Sequence, residues 1–358
     1  MAQQNYFSVG AVQPEVYYCK DRKEIREKNL RRHLELLDCL VPYWSSLVGA
    51  PCRLVVFPEF ALHGIPQKAD GSWNGVAIDI PGEETELLGE KAKELNIYIA
   101  SHGWTEYPDF PSRPFSVAFL IGPNGKVILR HHKVVTTKIL DATAPGDAYD
   151  WFVKKFGEGL DAFFPVADTE LGKMGFIICG EGQYPEIARG LMINGAEILI
   201  RPNAWIEPYM TEPQDLMALC SRFNAFANMC YLVESNWAYY YGAGYQGPKG
   251  FGAGRSQIID YTGRILARSY AAGETGIATE INIQSLRRYR EGCGFGARMV
   301  YIPCHIFRKV YETEIWPKNS LLKKKESGNI IMWEKLRREV IERRRDIYTP
   351  SEKTKGTT

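Results

Sequence analysis

Three residues of different chemical type, Glu59, Lys133 and Cys179, each close a short apolar run in this 358-residue sequence. Cys179 ends the run Gly175-Phe-Ile-Ile-Cys, and a glycine-bracketed turn, Gly180-Glu-Gly-Gln-Tyr-Pro, leads from it into a helix start. A thiol on such a corner stands at the top of a sheet beside free backbone N–H groups, which is where a nucleophile sits. A cysteine by itself more often fills a core, so the rest of the chain must supply a base and a charge stabiliser. Glu59 ends Leu54-Val-Val-Phe-Pro-Glu, and Lys133 ends Val127-Ile-Leu-Arg-His-His-Lys, where strand alternation puts it on the face of Val127 and Leu129. An inward carboxylate and an inward ammonium are expensive unless partnered. A buried ion pair would satisfy both, yet it leaves the cysteine corner at a third strand end unexplained, and ligand sites of α/β sheets lie at the carboxyl ends of strands. Together the three types form a working set. The carboxylate takes the thiol proton, the ammonium lowers the thiol pKa and later holds an oxyanion, and the thiolate attacks a carbonyl or nitrile carbon.

The elements that must position these residues fall into two blocks of similar pattern. The first runs from the strand Phe7 to Gln13 through a long helical pattern from about Asp21 to Leu47, with Leu30, Leu34, Leu37 and Val41 at helical spacing. The strand Arg53 to Glu59, a helix near Glu84 to Leu95, the strand Ile97 to Ser101 and a hairpin turning at Asn124-Gly125 complete it. The second block repeats the order from Met174: a strand to Cys179, a helix from Pro185 to Asn194 and a strand from Ala196 to Arg201. A helix from Asp215 to Asn228, a strand from Cys230 to Ser235 and the hairpin Ser256 to Tyr261 with Arg264 to Ser269 follow. Alternating helices and strands predict an α/β fold of two mixed sheets packed face to face with helices outside, and a charged helical tail beyond Trp316.

Composition narrows the function. With 45% hydrophobic and 24% charged residues the chain reads as globular, and a formal charge of +2 gives no electrostatic reason for a nucleic-acid partner. No signal-peptide pattern opens the sequence and no apolar run approaches the roughly 18 residues of a membrane span, so no membrane is expected and a cytoplasmic protein is. The eight cysteines form no CxxC pair. Adjacent His131 and His132 point to opposite strand faces, so no metal and no cofactor is expected. Gly242-Ala-Gly-Tyr-Gln-Gly247 matches the dinucleotide pattern GxGxxG, but Pro248 and further glycines follow where a helix is required, so it reads as a loop at a pocket rim.

Four stretches in order, "VVFPEF", "RHHKVV", "ICGEGQYPEIAR" and "AFANMCYLVESN" with the following "GRSQIIDYTG", resemble the nitrilase superfamily of carbon–nitrogen hydrolases, in particular its amidase branches, over roughly residues 6 to 285. The resemblance implies an αββα sandwich that pairs into four-layer homodimers or larger assemblies. It implies catalytic roles for Glu59, Lys133 and Cys179, with the Gly180 N–H as oxyanion donor. Many relatives carry a second pocket glutamate after the lysine; here Asp141 stands near that place, with Glu181 as the next candidate. Gly180 stands where nitrilases carry tryptophan, which favours an amide over a nitrile substrate. A carbamoyl amino acid substrate would need a basic pocket residue, for which Arg201 is the candidate beside a purely structural ion pair. Trp205, Tyr209, Trp237 and Tyr239 to Tyr241 could line an apolar pocket or pack as core. The expected activity is hydrolysis of a small-molecule carboxamide through a cysteine thioester. The alternatives are a nitrilase, an N-carbamoyl amidohydrolase or a silent binding scaffold. Residues 1–285 would form the hydrolase domain and 286–358 a C-terminal extension with oligomer contacts.

Overall fold

A computed structural model describes residues 6–65, 75–136, 142–205, 215–242, 252, 254–292, 297–322 and 330–348. The first half opens with β1 (Phe7–Gln13) and the short β2 (Val16–Tyr17). The helices α1 (Arg22–Ile25) and α2 (Arg31–Val48) follow, joined by a π-helical turn into one continuous helix. Then come β3 (Cys52–Val56), α3 (Glu83–Leu95), β4 (Tyr98–Tyr107), β5 (Phe110–Ile121), β6 (Val127–His132), α4 (Tyr149–Phe156) and α5 (Leu160–Phe163). The second half holds β7 (Val166–Thr169), β8 (Gly172–Phe176), α6 (Pro185–Ile193), β9 (Ile198–Pro202), α7 (Leu216–Asn228) and β10 (Tyr231–Ser235). It continues through β11 (Tyr240–Tyr241), β12 (Gln257–Ile259), β13 (Ile265–Arg268) and β14 (Thr275–Ile281). The helices α8 (Ile283–Glu291), α9 (Cys304–Phe307), α10 (Ile330–Arg343) and α11 (Arg345–Tyr348) end the chain. Among the described residues no helix is long and apolar enough to cross a membrane.

Two six-stranded sheets form, ordered β14-β1-β3-β4-β5-β6 and β13-β12-β10-β9-β8-β7. Strand alternation sorts the side chains into layers. Val9, Ala11, Leu54 and Val56 of the first sheet meet Met174, Phe176, Ile198, Ile200 and Val233 of the second in the central core. The intervening Val12, Val55 and Phe57 face α2 and α3, where they pack with Leu37, Trp44 and Leu88. Leu199 and Leu232 face α6 and α7 through Ile187, Leu191 and Ala225. Each such fully buried aliphatic side chain contributes about 1.5–3 kcal/mol. Gly10 lets the Trp44 ring lie on the sheet: a Cβ there would come within 2.2 Å of the indole.

The two expected blocks are both present, each with three parallel strands and a hairpin, but each also has a sixth strand that the sequence reading lacks. β7 precedes β8 and pairs with it at one edge of the second sheet, and β14 leaves the second block to pair with β1 along its whole length. Strand ends also differ from expectation. β3 stops at Val56 and Glu59 lies in the turn beyond, because Pro58 has no N–H to continue the ladder. β8 likewise stops at Phe176, three residues short of Cys179. Lys133 follows Leu129 onto the inner face but does not share it with Val127, which packs against the outer cluster, since the pairing Leu120↔Leu129 and Ile121↔Val127 leaves Ile128 as an extra, bulged residue.

Candidate active site

The carboxyl ends of β3, β6 and β8 bring Glu59, Lys133 and Cys179 to one point between the sheets. Lys133 Nζ donates to Glu59 Oε1 at 2.6 Å, with both side chains buried. The Cys179 thiol lies beside the same carboxylate, which opposes its ionisation. The three open into one cavity of about 220 Å³, whose lining includes Gly180 and, on its apolar side, Phe60 and Trp205. A larger cleft of about 330 Å³ beside β6 and Asp161 holds none of the three, so size does not mark the site.

Each residue is held through its backbone. Glu59 N–H donates to Asn203 O at 3.1 Å. Phe60, next to it, takes the left-handed conformation at φ 60°, and its N–H donates to His102 Nδ1 at 3.1 Å. His102 Nδ1 is therefore the acceptor nitrogen, and Nε2–H donates to Ser116 Oγ at 2.7 Å. Lys133 N–H bonds Ser116 O at 2.8 Å, so one serine joins the histidine behind the carboxylate to the lysine. Burial, with His63 and Lys133 nearby, keeps the His102 pKa well below its ordinary value, so the imidazole is neutral.

Cys179 opens a 3₁₀ turn, Cys179–Gln183, at φ 45°, a left-handed conformation costly for a non-glycine residue. Two buried side chains hold it there. Arg201 Nη2 donates to Cys179 O at 2.9 Å from beneath the turn. Glu181 accepts Ile178 N–H at 2.7 Å and Val134 N–H at 2.6 Å, with His131 Nε2 at 3.1 Å. Glu181 thus ties the cysteine corner to the residue after Lys133, and its oxygens are engaged by the protein. Gly182 admits the arginine, since a Cβ there would lie 2.3 Å from the guanidinium.

The electrostatics differ from the sequence expectation in one respect. Burial and the Glu59 carboxylate push the Cys179 thiol up to about 12, against the opposite pulls of Lys133 and the Ala204 N–H. Lys133 lowers the thiol pKa but does not prevail, and the resting sulfur is protonated. Burial also opposes the Lys133 charge, yet the Glu59 carboxylate holds the ammonium pKa above its ordinary value.

Other expected residues lie apart from the cavity. Trp237 is buried behind Phe60, with ring centroids 6.1 Å apart, and does not line it. Tyr240 packs against Trp237, and Tyr241 stacks on Tyr17 at 4.4 Å. Arg201 is fully buried and paired with Glu234 at 3.1 Å, which makes it a support of the corner and not a ligand for a substrate carboxylate. Asp141, Tyr209 and most of the Gly242–Gly254 loop lie outside the described residues. His131 and His132 diverge as alternation requires, one to Glu181 and the other to Tyr107 OH at 2.6 Å. Among the described residues no three acidic, histidine or cysteine side chains converge as metal ligands. The supports His102, Ser116, Asn203 and Glu234 were not singled out from sequence. One signal for them exists, the parallel between Pro58-Glu59 and Pro202-Asn203 at the ends of β3 and β9.

The family model for carbon-nitrogen hydrolases matches residues 8–291. A formamidase from Helicobacter acinonychis is 29% identical over 266 residues, covering 74% of this chain and 70% of its own. A formamidase from Bacillus thuringiensis is 30% identical over 254 residues, 70% of this chain and 68% of its own. Among solved structures, a double mutant of an amidase from Nesterenkonia in complex with acrylamide superposes with a TM-score of 0.63 at 14% identity, covering 87% of this chain and 99% of that one. The shared layers, the match along most of the chain and the cysteine corner agree: the chain belongs to the carbon-nitrogen hydrolase family.

Proposed function

We propose that the protein hydrolyses a small carboxamide to the carboxylic acid and ammonia through a thioester on Cys179. The observation that carries this reading is the convergence of the hydrogen-bonded Lys133–Glu59 pair and Cys179 on one cavity. In the proposed cycle Glu59 takes the thiol proton while the sulfur attacks the amide carbon. The oxyanion forms beside the Lys133 ammonium and the N–H of Gly180, the second residue of a turn whose first N–H groups have no acceptor within it. Glu59 then returns its proton to the leaving nitrogen, and ammonia departs as the C–N bond breaks. Water, deprotonated by Glu59, attacks the thioester, and the proton goes back to the thiolate as the acid is released. The two formamidase relatives support an amide over a nitrile. Ammonia release from a panel of short amides, nitriles and N-carbamoyl amino acids tests the reading, which expects turnover of the amides and fails if only another class reacts.

We assign residues 1–285 to the hydrolase domain, since the last sheet strand ends at Ile281, and 286–358 to a helical extension. Exposed Leu219, Phe223 and Phe226 on α7, with exposed Val300, Tyr301 and Phe307 in the extension, support self-association into a homodimer or larger homo-oligomer. Sedimentation velocity tests it; a monomer at micromolar concentration would refute it.

A further inference from the structure

Resting on the roles assigned above to Glu59 and Cys179, we propose that Glu234 is a positioning residue, one buried carboxylate that fixes the backbones of the general base and the nucleophile relative to each other. Glu234 lies in β10 with no exposed surface. Its Oε1 pairs with Arg201 Nη1 at 3.1 Å and accepts from the Asn203 amide. Its Oε2 accepts from Ser221 Oγ at 2.8 Å and from Gln257 Nε2. Two arms leave this centre. One runs through Arg201, whose Nη2 holds Cys179 O at 2.9 Å. The other runs through Asn203, whose backbone carbonyl holds the Glu59 N–H at 3.1 Å. Ala204, the next residue, lines the cavity together with Cys179, so the second arm reaches the wall that faces the nucleophile.

The other half of the molecule shows that the fold does not require this pair. β9 and β10 run in parallel with Ile200 beside Val233 and Arg201 beside Glu234. β3 and β4 run in the same register with Val56 beside Ala100, so Phe57 and Ser101 occupy the places of Arg201 and Glu234. There Phe57 simply stacks on His33 with ring centroids 4.0 Å apart. The same corner is therefore built once with an apolar contact and once with a buried ion pair. Burying an ion pair is costly, and apolar replacements of equal volume commonly match its stability. Its presence only in the half that carries the nucleophile is explained by what the two arms hold.

Glu234→Gln keeps the volume but presents an amide donor where other donors converge. The variant is expected to lose about ten- to hundredfold in kcat, with KM within roughly threefold, because the reacting groups are misplaced and the cavity is not. Exchange of the Glu59 amide hydrogen, read by NMR, should accelerate about tenfold or more, since its acceptor arm is released. Should Glu234→Gln fail to fold, the double variant Arg201→Met with Glu234→Leu replaces the pair by apolar groups; it should keep the wild-type Tm and show the same loss in kcat. A folded variant of either kind with wild-type kcat and wild-type Glu59 exchange overturns the proposal. A wild-type protein that releases no ammonia from any amide refutes the amidase reading instead, and Glu59 exchange then decides on the positioning role by itself.

Discussion

The corner at the end of β3 and the corner at the end of β9 are built on one plan and put to different uses. Each parallel strand meets a proline, Pro58 just beyond β3 or Pro202 as the last residue of β9, and one residue follows it into the corner. In the first half that residue is Glu59, the proposed general base; in the second it is Asn203, whose amide is tied to Glu234. The surroundings differ accordingly. Glu59 is backed by neutral imidazoles, His102 and His63, both held below their ordinary pKa by burial. Its carboxylate is therefore paired with the Lys133 ammonium in front and with uncharged rings behind. Cys179 is backed by a closed ion pair, Arg201 with Glu234, that grips its carbonyl and leaves the sulfur to the cavity. A repeated corner has thus separated chemistry from support.

The largest expected effect breaks the chemical corner. Glu59→Gln keeps the shape of the side chain and removes its basicity, so kcat should fall by roughly 10²–10⁴, the range of a lost general base. Asn203→Ala at the matching corner keeps the backbone acceptor and removes only the side-chain tie to Glu234. Its loss should be nearer tenfold, and steady-state ammonia assays of the two variants side by side measure the asymmetry. Equal losses would mean that the corners are not specialised.

Acid should loosen the first half before the second. Burial lowers His33 and His63 to about 4 and His132 to about 3, and all three lie in the first half. A histidine whose folded pKa is depressed adds stability that is complete above its unfolded value near 6.5 and is lost as pH falls toward the folded value. Between about pH 6.5 and 4 each such histidine should therefore remove about 1.4 kcal/mol per pH unit. Urea unfolding at pH 7 and pH 5, with hydrogen exchange to localise the change, checks this. Exchange that rises first in α6 and α7 would contradict it.

A smaller effect is expected behind Glu59. His102→Phe retains bulk but strands the buried Phe60 N–H, at a cost of about 1–3 kcal/mol in stability. It should also lower kcat modestly by freeing the turn that carries Glu59. Unchanged stability would show that the histidine is packing alone.

The convergence of Glu59, Lys133 and Cys179 was legible in the sequence because each is an ionisable group at the end of an apolar run, a pattern that burial makes expensive without a purpose. The parallel strands were legible for the same reason, through their continuous apolar stretches. β7 and β14 were not. β7 is a four-residue edge strand, and β14 crosses to the edge of the other sheet and is only half-buried along most of its length, so it carries no clean alternation. The bulge at Ile128 was hidden because one extra residue leaves no mark in composition. The Arg201–Glu234 pair was hidden because the partners meet across adjacent strands, and only their register brings them together. Glu181 was weighed as a second acid near the substrate, but its three donors, two of them backbone N–H groups, fasten the corner instead.

The central claim, that Cys179 forms an acyl bond with an amide substrate, is tested most directly by rapid acid quench of the enzyme with a short amide, followed by intact-mass and peptide mass spectrometry. The account predicts a mass increase equal to the acyl group on the peptide that contains Cys179, absent in Cys179→Ala. Multiple turnovers of the amide with no adduct on Cys179 at any quench time, and the same ammonia release from Cys179→Ala, would contradict it.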